Sequence, residues 1–415
     1  MKADTTALRV DGTRLWDSLM QMAEHGRTDR GGCDRQALTD ADRAGRDLFV
    51  HWCRAAGCDA RVDRMGNIFA RRPGLDPAAP PVLAGSHLDT QPAGGRFDGV
   101  YGVLAGLEVI RSLDDAGVRT RHAVEVVCWT NEEGARFSPA MIGSGVWAGA
   151  FELAYAYARE DHSGATLEAE LRRIGYLGDA PCRAGAVKAA FEAHIEQGPV
   201  LEQAGAQIGV VTGVQGMRWY EIVLEGQACH AGTTPMETRR DPVRALGGML
   251  QRLWALADAH APAVRMTFGQ WASRPGSRNT VPGSVTLSVD LRHPESALLD
   301  RIEADMERIV LDAGTAAGVQ AALRPEWRSA PVEFDPACVD SVQRAAQALG
   351  YRSLRMVSGA GHDSVYVARV APTGMIFVPC ERGLSHNELE NARPADLEAG
   401  CNVLLHAVLD QAVVA

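Results

Sequence analysis

Short, mostly apolar runs alternate along the chain with longer stretches of helical spacing. The runs at 81–85 (PVLAG), 123–128 (AVEVVC) and 374–378 read as buried strands, and 191–199 (FEAHIEQGP) is a strand candidate. Helical spacing marks 8–25 (Leu8, Leu15, Leu19, Met22), 40–56 after the candidate cap Thr39, 99–113, 335–349 and 394–413. Gly66 marks a turn between two short strands within 61–71, and 140–190 reads as a polar, helix-rich covering layer. Strands interleaved with helices predict an α/β domain. Near residue 212 the pattern changes. A strand at 216–225, a helix at 241–259, strands at 265–270 and 284–292 separated by a loop at 273–283, a helix at 296–316 and a strand at 321–327 predict an inserted α+β unit. The expected domains are 1–213, 214–330 and 331–415, with hinges near 213–216 and 328–331.

The chemistry gathers in loops that follow the apolar runs. Segment 85–98 (GSHLDTQPAGGRFD) carries His87, Asp89 and Asp98, and glycines at 94, 95 and 99 allow tight turns beside a ligand. Glu132 and Glu133 follow the 123–128 run. Neighbours on a strand point to opposite faces, so the two would have different tasks; in isolation a solvated loop carrying two charges is the favoured reading, and the position after a strand is what makes the pair a candidate site. On a strand, His194 and Glu196 share a face, with Gln197 opposite. His230 lies in 226–234 (GQACHAGTT) and His386 in 380–388 (CERGLSHNE). His51, His122, His162, His260 and His406 read as ordinary core or surface residues. Histidine and carboxylate donors without cysteine suit zinc, manganese or a similar divalent ion, and a carboxylate set between two ions can bridge them. Taken singly, each of these residues is better read as a separate structural charge or polar loop residue.

Composition narrows the class. The 415 residues are 46% hydrophobic and 23% charged with a formal net charge of −10, as in a soluble globular protein, and this balance argues against nucleic acid as a partner. The nine cysteines stand singly with no CxxC pair, which reads as reduced thiols in a cytoplasm. The N-terminal MKADTTALRVDGTRLW has no apolar signal core, and no run reaches the ~18 apolar residues that span a membrane.

The segments GSHLDTQPAGGRFDG, NEEGARF, AHIEQGPVLE, GQACHAGTTPM, RNTVPG, DLRHP, SGAGHDS and GLSHNE occur in this order. Together they resemble the hydantoinase/carbamoylase amidases: the N-carbamoyl-L-amino acid hydrolases, β-ureidopropionases and allantoate amidohydrolases of the aminoacylase-like M20 metallopeptidase superfamily. The resemblance implies a dimetal-aminopeptidase-like catalytic domain with a mixed central sheet and an inserted ferredoxin-like lid and dimerisation domain. It implies two divalent ions per subunit (Zn, Mn, Co or Ni). His87 and His194 would hold one, Glu133 and His386 the other, and Asp98 would bridge them. Asp89 would orient His87 by accepting its second N–H. Glu132 would be the general base acting on a metal-bridging water, and His230 the oxyanion donor, reaching the site of the other subunit of a homodimer. Arg292 with Asn279 would bind the substrate carboxylate, and Gln197 and Gly359 would contact substrate near the metals.

The implied reaction removes the carbamoyl group from an N-carbamoyl-L-amino acid, giving amino acid, ammonia and carbon dioxide. Allantoate or N-carbamoyl-β-alanine hydrolysis is the near alternative. A dipeptidase or aminoacylase is more distant, and HIEQG and NEEGARF point away from it. A non-catalytic homologue would be expected to lack Glu132 or a metal ligand.

Overall fold

The computed structural model describes residues 5–414; the first four residues of the charged N-terminal stretch lie outside the described residues. The chain divides into two units, one formed by residues 1–213 and 333–415 and the other by 214–332. The expected breaks were at 213/214 and 330/331.

The first unit is built on a nine-stranded mixed sheet. Its centre is four parallel strands, in the spatial order Val124–Trp129, Val82–His87, Ala189–Ile195 and Thr373–Val378. Every residue in these strands is buried, which explains why they read as continuous apolar runs rather than alternating ones. Asp59–Val62 and Ile68–Arg72 add an antiparallel edge, and Ile208–Val214 adds an antiparallel neighbour on the other side. The helices Val100–Asp115 and Pro394–Ala412 pack on the central strands and on each other. Val100–Ile110 is buried on every side, so this helix belongs to the core. Gly102 allows its close approach, because a Cβ there would lie 2.4 Å from the main-chain oxygen of Ala193.

Several boundaries differ from the sequence reading. The first helix is Gly12–Ala23, with Asp11 as its cap accepting from Arg14 N, so Leu8 lies outside it. The second is Asp40–Ala55, capped by Thr39. The layer at 140–190 contains three short helices, Ile142–Trp147, Leu153–Tyr157 and Leu167–Ile174. The strand carrying His194 ends at Ile195. Glu196 therefore does not continue the His194 face; its carboxylate accepts the N–H groups of Val200 and Leu201 at the next helix.

The second unit is a five-stranded antiparallel sheet in the order Trp271–Arg274, Ser284–His293, Gly216–Glu225, Gln320–Ser329, with Arg265–Thr267 also paired to Ser284–His293. The helices Pro242–Ala259 and Ser296–Ala317 cover one face, where Tyr220, Ile222, Leu224, Val285, Leu287, Val289 and Leu291 build the core. Trp271–Arg274 falls partly in the expected loop; it is an exposed edge strand without apolar alternation. Among the described residues no helix is long and apolar enough to cross a membrane.

Candidate metal centre and active site

The parallel strands bring their C-terminal ends to one edge of the first unit's sheet, where open α/β sheets place ligands. His87 ends the strand Val82–His87, Glu132 and Glu133 follow Val124–Trp129, and His194 precedes the last residue of Ala189–Ile195. His386 lies in the loop beyond Thr373–Val378. Three of these loops contain non-glycine residues with left-handed backbone: Asn131 (φ 57°), Gln197 (φ 57°) and His386 (φ 53°). Such conformations persist where surrounding contacts over-determine them. At Asn131 the side-chain amide supplies the contact, donating to Phe137 O at 2.7 Å.

Asp98 is the centre of the arrangement. Its Oδ1 lies 3.1 Å from His194 Nε2 and 3.9 Å from His87 Nε2, while its Oδ2 lies 3.3 Å from His386 Nε2. Glu133 Oε2 is 3.5 Å from the same His386 nitrogen. His87, Asp98 and His194 thus form one donor group, and Asp98, Glu133 and His386 a second that shares Asp98. Gly99 makes the crowding possible. It has φ 66°, and a Cβ there would lie 2.2 Å from His87 Nε2.

The donor set fits divalent ions. His87 Nδ1 lies 2.8 Å from the main-chain oxygen of Asp89, and His194 Nδ1 lies 2.9 Å from that of Ile195. A carbonyl only accepts, so both Nδ1 atoms carry a proton, and in the neutral ring each Nε2 turns its lone pair towards Asp98. Gly99 N–H donates to His194 Nε2 at 3.1 Å, which also marks that nitrogen as an acceptor. Lone pair facing carboxylate calls for a cation or a proton between them. The acidity of the site carries the same message. Burial, with Asp363 and Glu133 nearby, pushes the Glu132 carboxyl well above the usual range. Burial and Asp98 do the same to Glu133. Burial depresses His87 to about 4. Burial also works against His194 and against ionised Asp98, yet their mutual contact raises His194 to about 9 and holds Asp98 well below the carboxylate range. Divalent cations would remove this excess of negative charge.

Asp89 is a correction. Its carboxylate is 4.0 Å from His87 Nδ1, and the main-chain carbonyl takes the position expected for it. The carboxylate instead accepts the backbone N–H groups of Glu132 and Glu133, each at 3.2 Å. Glu132 Oε2 is 3.5 Å from His87 Nε2. Gln91 steadies Glu133 through its backbone N–H at 3.1 Å and its amide at 2.8 Å. Gln197 donates to Asp98 Oδ2 at 2.8 Å, so it holds the shared carboxylate.

Some residues at the site were not singled out from sequence. Glu390 is buried and accepts from the N–H groups of Phe97 and Asp98 and from Ser385 Oγ. Burial and Asp98 push its carboxyl up to about 7. His362 is buried, hydrogen-bonds through Nε2 with Ser358 Oγ at 2.9 Å, and packs edge-on against His194. Glu192 accepts from the hydroxyls of Ser86 and Ser364, each at 2.6 Å, which occupies both of its oxygens. A charged residue inside an otherwise apolar strand, as in FEAHI, was the available signal for Glu192. Gly359 opens the loop containing His362 and is exposed.

The remaining expected residues belong to the second unit. His230 is exposed and pairs in register with Thr280, while Ala231 N–H donates to Asn279 O, so the His230 and Asn279 segments are neighbours. His230 Nδ1 accepts from the N–H groups of Gly232 and Thr233. Asn279 Oδ1 accepts from Ser277 Oγ. Arg292 makes a two-pronged pair with Asp290 at 2.9 and 2.8 Å. A substrate carboxylate would have to compete with that partner.

Comparison with known proteins places this geometry. The profile of peptidase family M20/M25/M40 matches residues 83–410. An N-carbamoyl-L-amino-acid amidohydrolase of Rhizobium meliloti is 49% identical over 98% of both chains. One from Geobacillus stearothermophilus is 38% identical over 96% of this chain and 98% of its own. The crystal structure of a hydantoinase/carbamoylase family amidase from Burkholderia multivorans superposes with a TM-score of 0.94 at 53% identity, covering 98% of this chain and 99% of that one. The chain belongs to peptidase family M20/M25/M40 and, within it, to the hydantoinase/carbamoylase amidases.

Proposed function

We propose that this chain hydrolyses N-carbamoyl-L-amino acids, consuming one water and releasing the free L-amino acid, ammonia and carbon dioxide. The observation that carries the reading is the position of Glu132. It is a buried carboxylate 3.5 Å from His87, beside a donor set that divides around Asp98. The relatives named as carbamoyl amino-acid hydrolases match end to end, which supports the same reaction class.

His87 and His194 would hold one divalent ion with Asp98, and Glu133 and His386 a second with the same Asp98. Such ions, when bound, acidify water and polarise the ureido carbonyl. Glu132 takes the proton of the attacking water and delivers it to the leaving nitrogen. Asp89 fixes the main chain of Glu132 and Glu133 during both transfers. His230 is assigned to stabilise the oxyanion, and Arg292 with Asn279 to hold the substrate carboxylate. Gln197 and Gly359 are assigned as further substrate contacts. A homodimer in which His230 serves the partner's site, and a cytoplasmic location, complete the reading.

Ammonia release by manganese-loaded protein tests it. The substrates are N-carbamoyl-L-amino acids, their D-isomers, N-carbamoyl-β-alanine, allantoate and a dipeptide. Preferential turnover of the L-isomers is expected. Preference for allantoate or the β-alanine derivative would move the chain to those branches, and cleavage of the dipeptide alone would overturn the reading.

A further inference from the structure

The Ser144 hydroxyl has one proton and two oxygen neighbours. Its Oγ lies 3.1 Å from the main-chain oxygen of Met141 and 2.5 Å from Oδ1 of Asp363. The Met141 carbonyl can only accept. If Asp363 were ionised, two acceptors would compete for the single hydroxyl proton. Asp363 is 0% exposed, and its Oδ2 has no hydrogen-bond partner among the described residues. It stands at the N-terminal cap of the helix Ser364–Val367, yet its side chain makes no capping bond there. The groups around it are Glu192, Asp89, Glu132, the Cys128 thiol, Tyr366 and the preceding His362, and among the described residues no Lys or Arg pairs with it. An isolated carboxylate so buried would be strongly disfavoured.

We infer that Asp363 is a neutral carboxylic acid and a positioning residue for Glu132. Its O–H donates to Ser144 Oγ, and Ser144 donates to Met141 O. The Met141 N–H donates in turn to Glu132 O at 2.6 Å. Every donor then has one acceptor, and the relay ends on the main chain of the residue assigned as the base. Met141 sits at φ 55°, so the turn it makes towards Glu132 is one that needs holding. Burial, reinforced by Glu192, pushes the Asp363 carboxyl well above the usual range, which agrees with the proton count. The kinetic consequence rests on the function proposed above; the protonation state does not.

The Asn variant separates a neutral acid from a carboxylate. An amide N–H can donate to Ser144 as the acid does, whereas an ionised carboxylate cannot. Metal-loaded Asp363→Asn is expected to keep kcat within about threefold of the native protein. Asp363→Ala and Ser144→Ala are expected to lower kcat by about 100-fold with little change in KM. Infrared spectra of metal-loaded protein carrying carboxyl-labelled aspartate should show a protonated-acid band from about pH 6 to about pH 8 that Asp363→Asn removes. The inference is overturned if Asn is as damaging as Ala, or if removing Asp363 abolishes no such band. Should Asp363→Ala fail to fold, the Asn variant and the band still decide. Should the native protein turn over no carbamoyl substrate, the proposed function fails while the band continues to report on Asp363.

Discussion

The main-chain carbonyl of Asp89, not its carboxylate, meets Nδ1 of His87, at 2.8 Å. One residue therefore does two things. Its backbone sets the tautomer of His87, and its side chain holds the N–H groups of Glu132 and Glu133. Burial and the nearby Asp42, opposed by Arg46, push the Asp89 carboxyl up to about 7. Asp89→Ala leaves the carbonyl in place. It should lower kcat by about 10–100-fold while metal content stays near native. Loss of metal together with activity would return the carboxylate to His87.

Arg46 and Asp42 form a fully buried pair at 2.8 Å behind this loop. Arg46 also donates to Gly66 O at 2.8 Å and Thr130 Oγ1 at 3.3 Å, just before the paired glutamates. Arg46→Leu strands Asp42, whose Oδ1 already lacks a partner among the described residues. Urea unfolding should show a loss of about 3–5 kcal/mol, the usual cost of breaking one side of a buried pair. A loss below about 1 kcal/mol would mean the pair is solvated.

A third prediction concerns acid. Asp161 accepts from Ser163 Oγ and N and from Arg136, with Ser163 the leading influence, and these contacts hold its carboxyl below the usual range. Arg136 lies in the NEEGARF loop and also pairs with Glu170 at 2.7 Å. A depressed folded-state value means that the stabilisation is fully present above the unfolded value of 3.8 and is lost progressively as pH falls from there through the lower folded-state value. Asp161→Asn should lower the melting temperature at pH 7 and flatten its fall below about pH 4. An unchanged acid limb would show that Asp161 contributes nothing there.

Much of this site is readable before any coordinates. His87, Glu132, Glu133 and His194 follow or lie at the ends of mostly apolar, fully buried strands, and Thr39 identifies a helix start by its cap. Asp89 shows the limit, since sequence does not say whether a residue works through its carbonyl or its carboxylate. Glu390 and Asp363 reach Asp98 and Ser144 across hundreds of residues, and a single chain gives no local sign of such pairing. The strands Trp271–Arg274 and Ser353–Ser358 were missed because their exposed or mixed faces lack an apolar rhythm. For Arg292 the sequence does not distinguish a substrate clamp from an ordinary strand-end ion pair, and Asp290 supplies that pair.

The most direct measurement is turnover and metal content of Glu132→Gln beside the native protein, on the carbamoyl substrate the native protein prefers. Glutamine keeps the shape and cannot take a proton. Full metal occupancy with turnover lowered by about 10²–10⁴-fold is expected for a general base. Near-native turnover at full occupancy would contradict the assignment of Glu132 as the group that moves the proton.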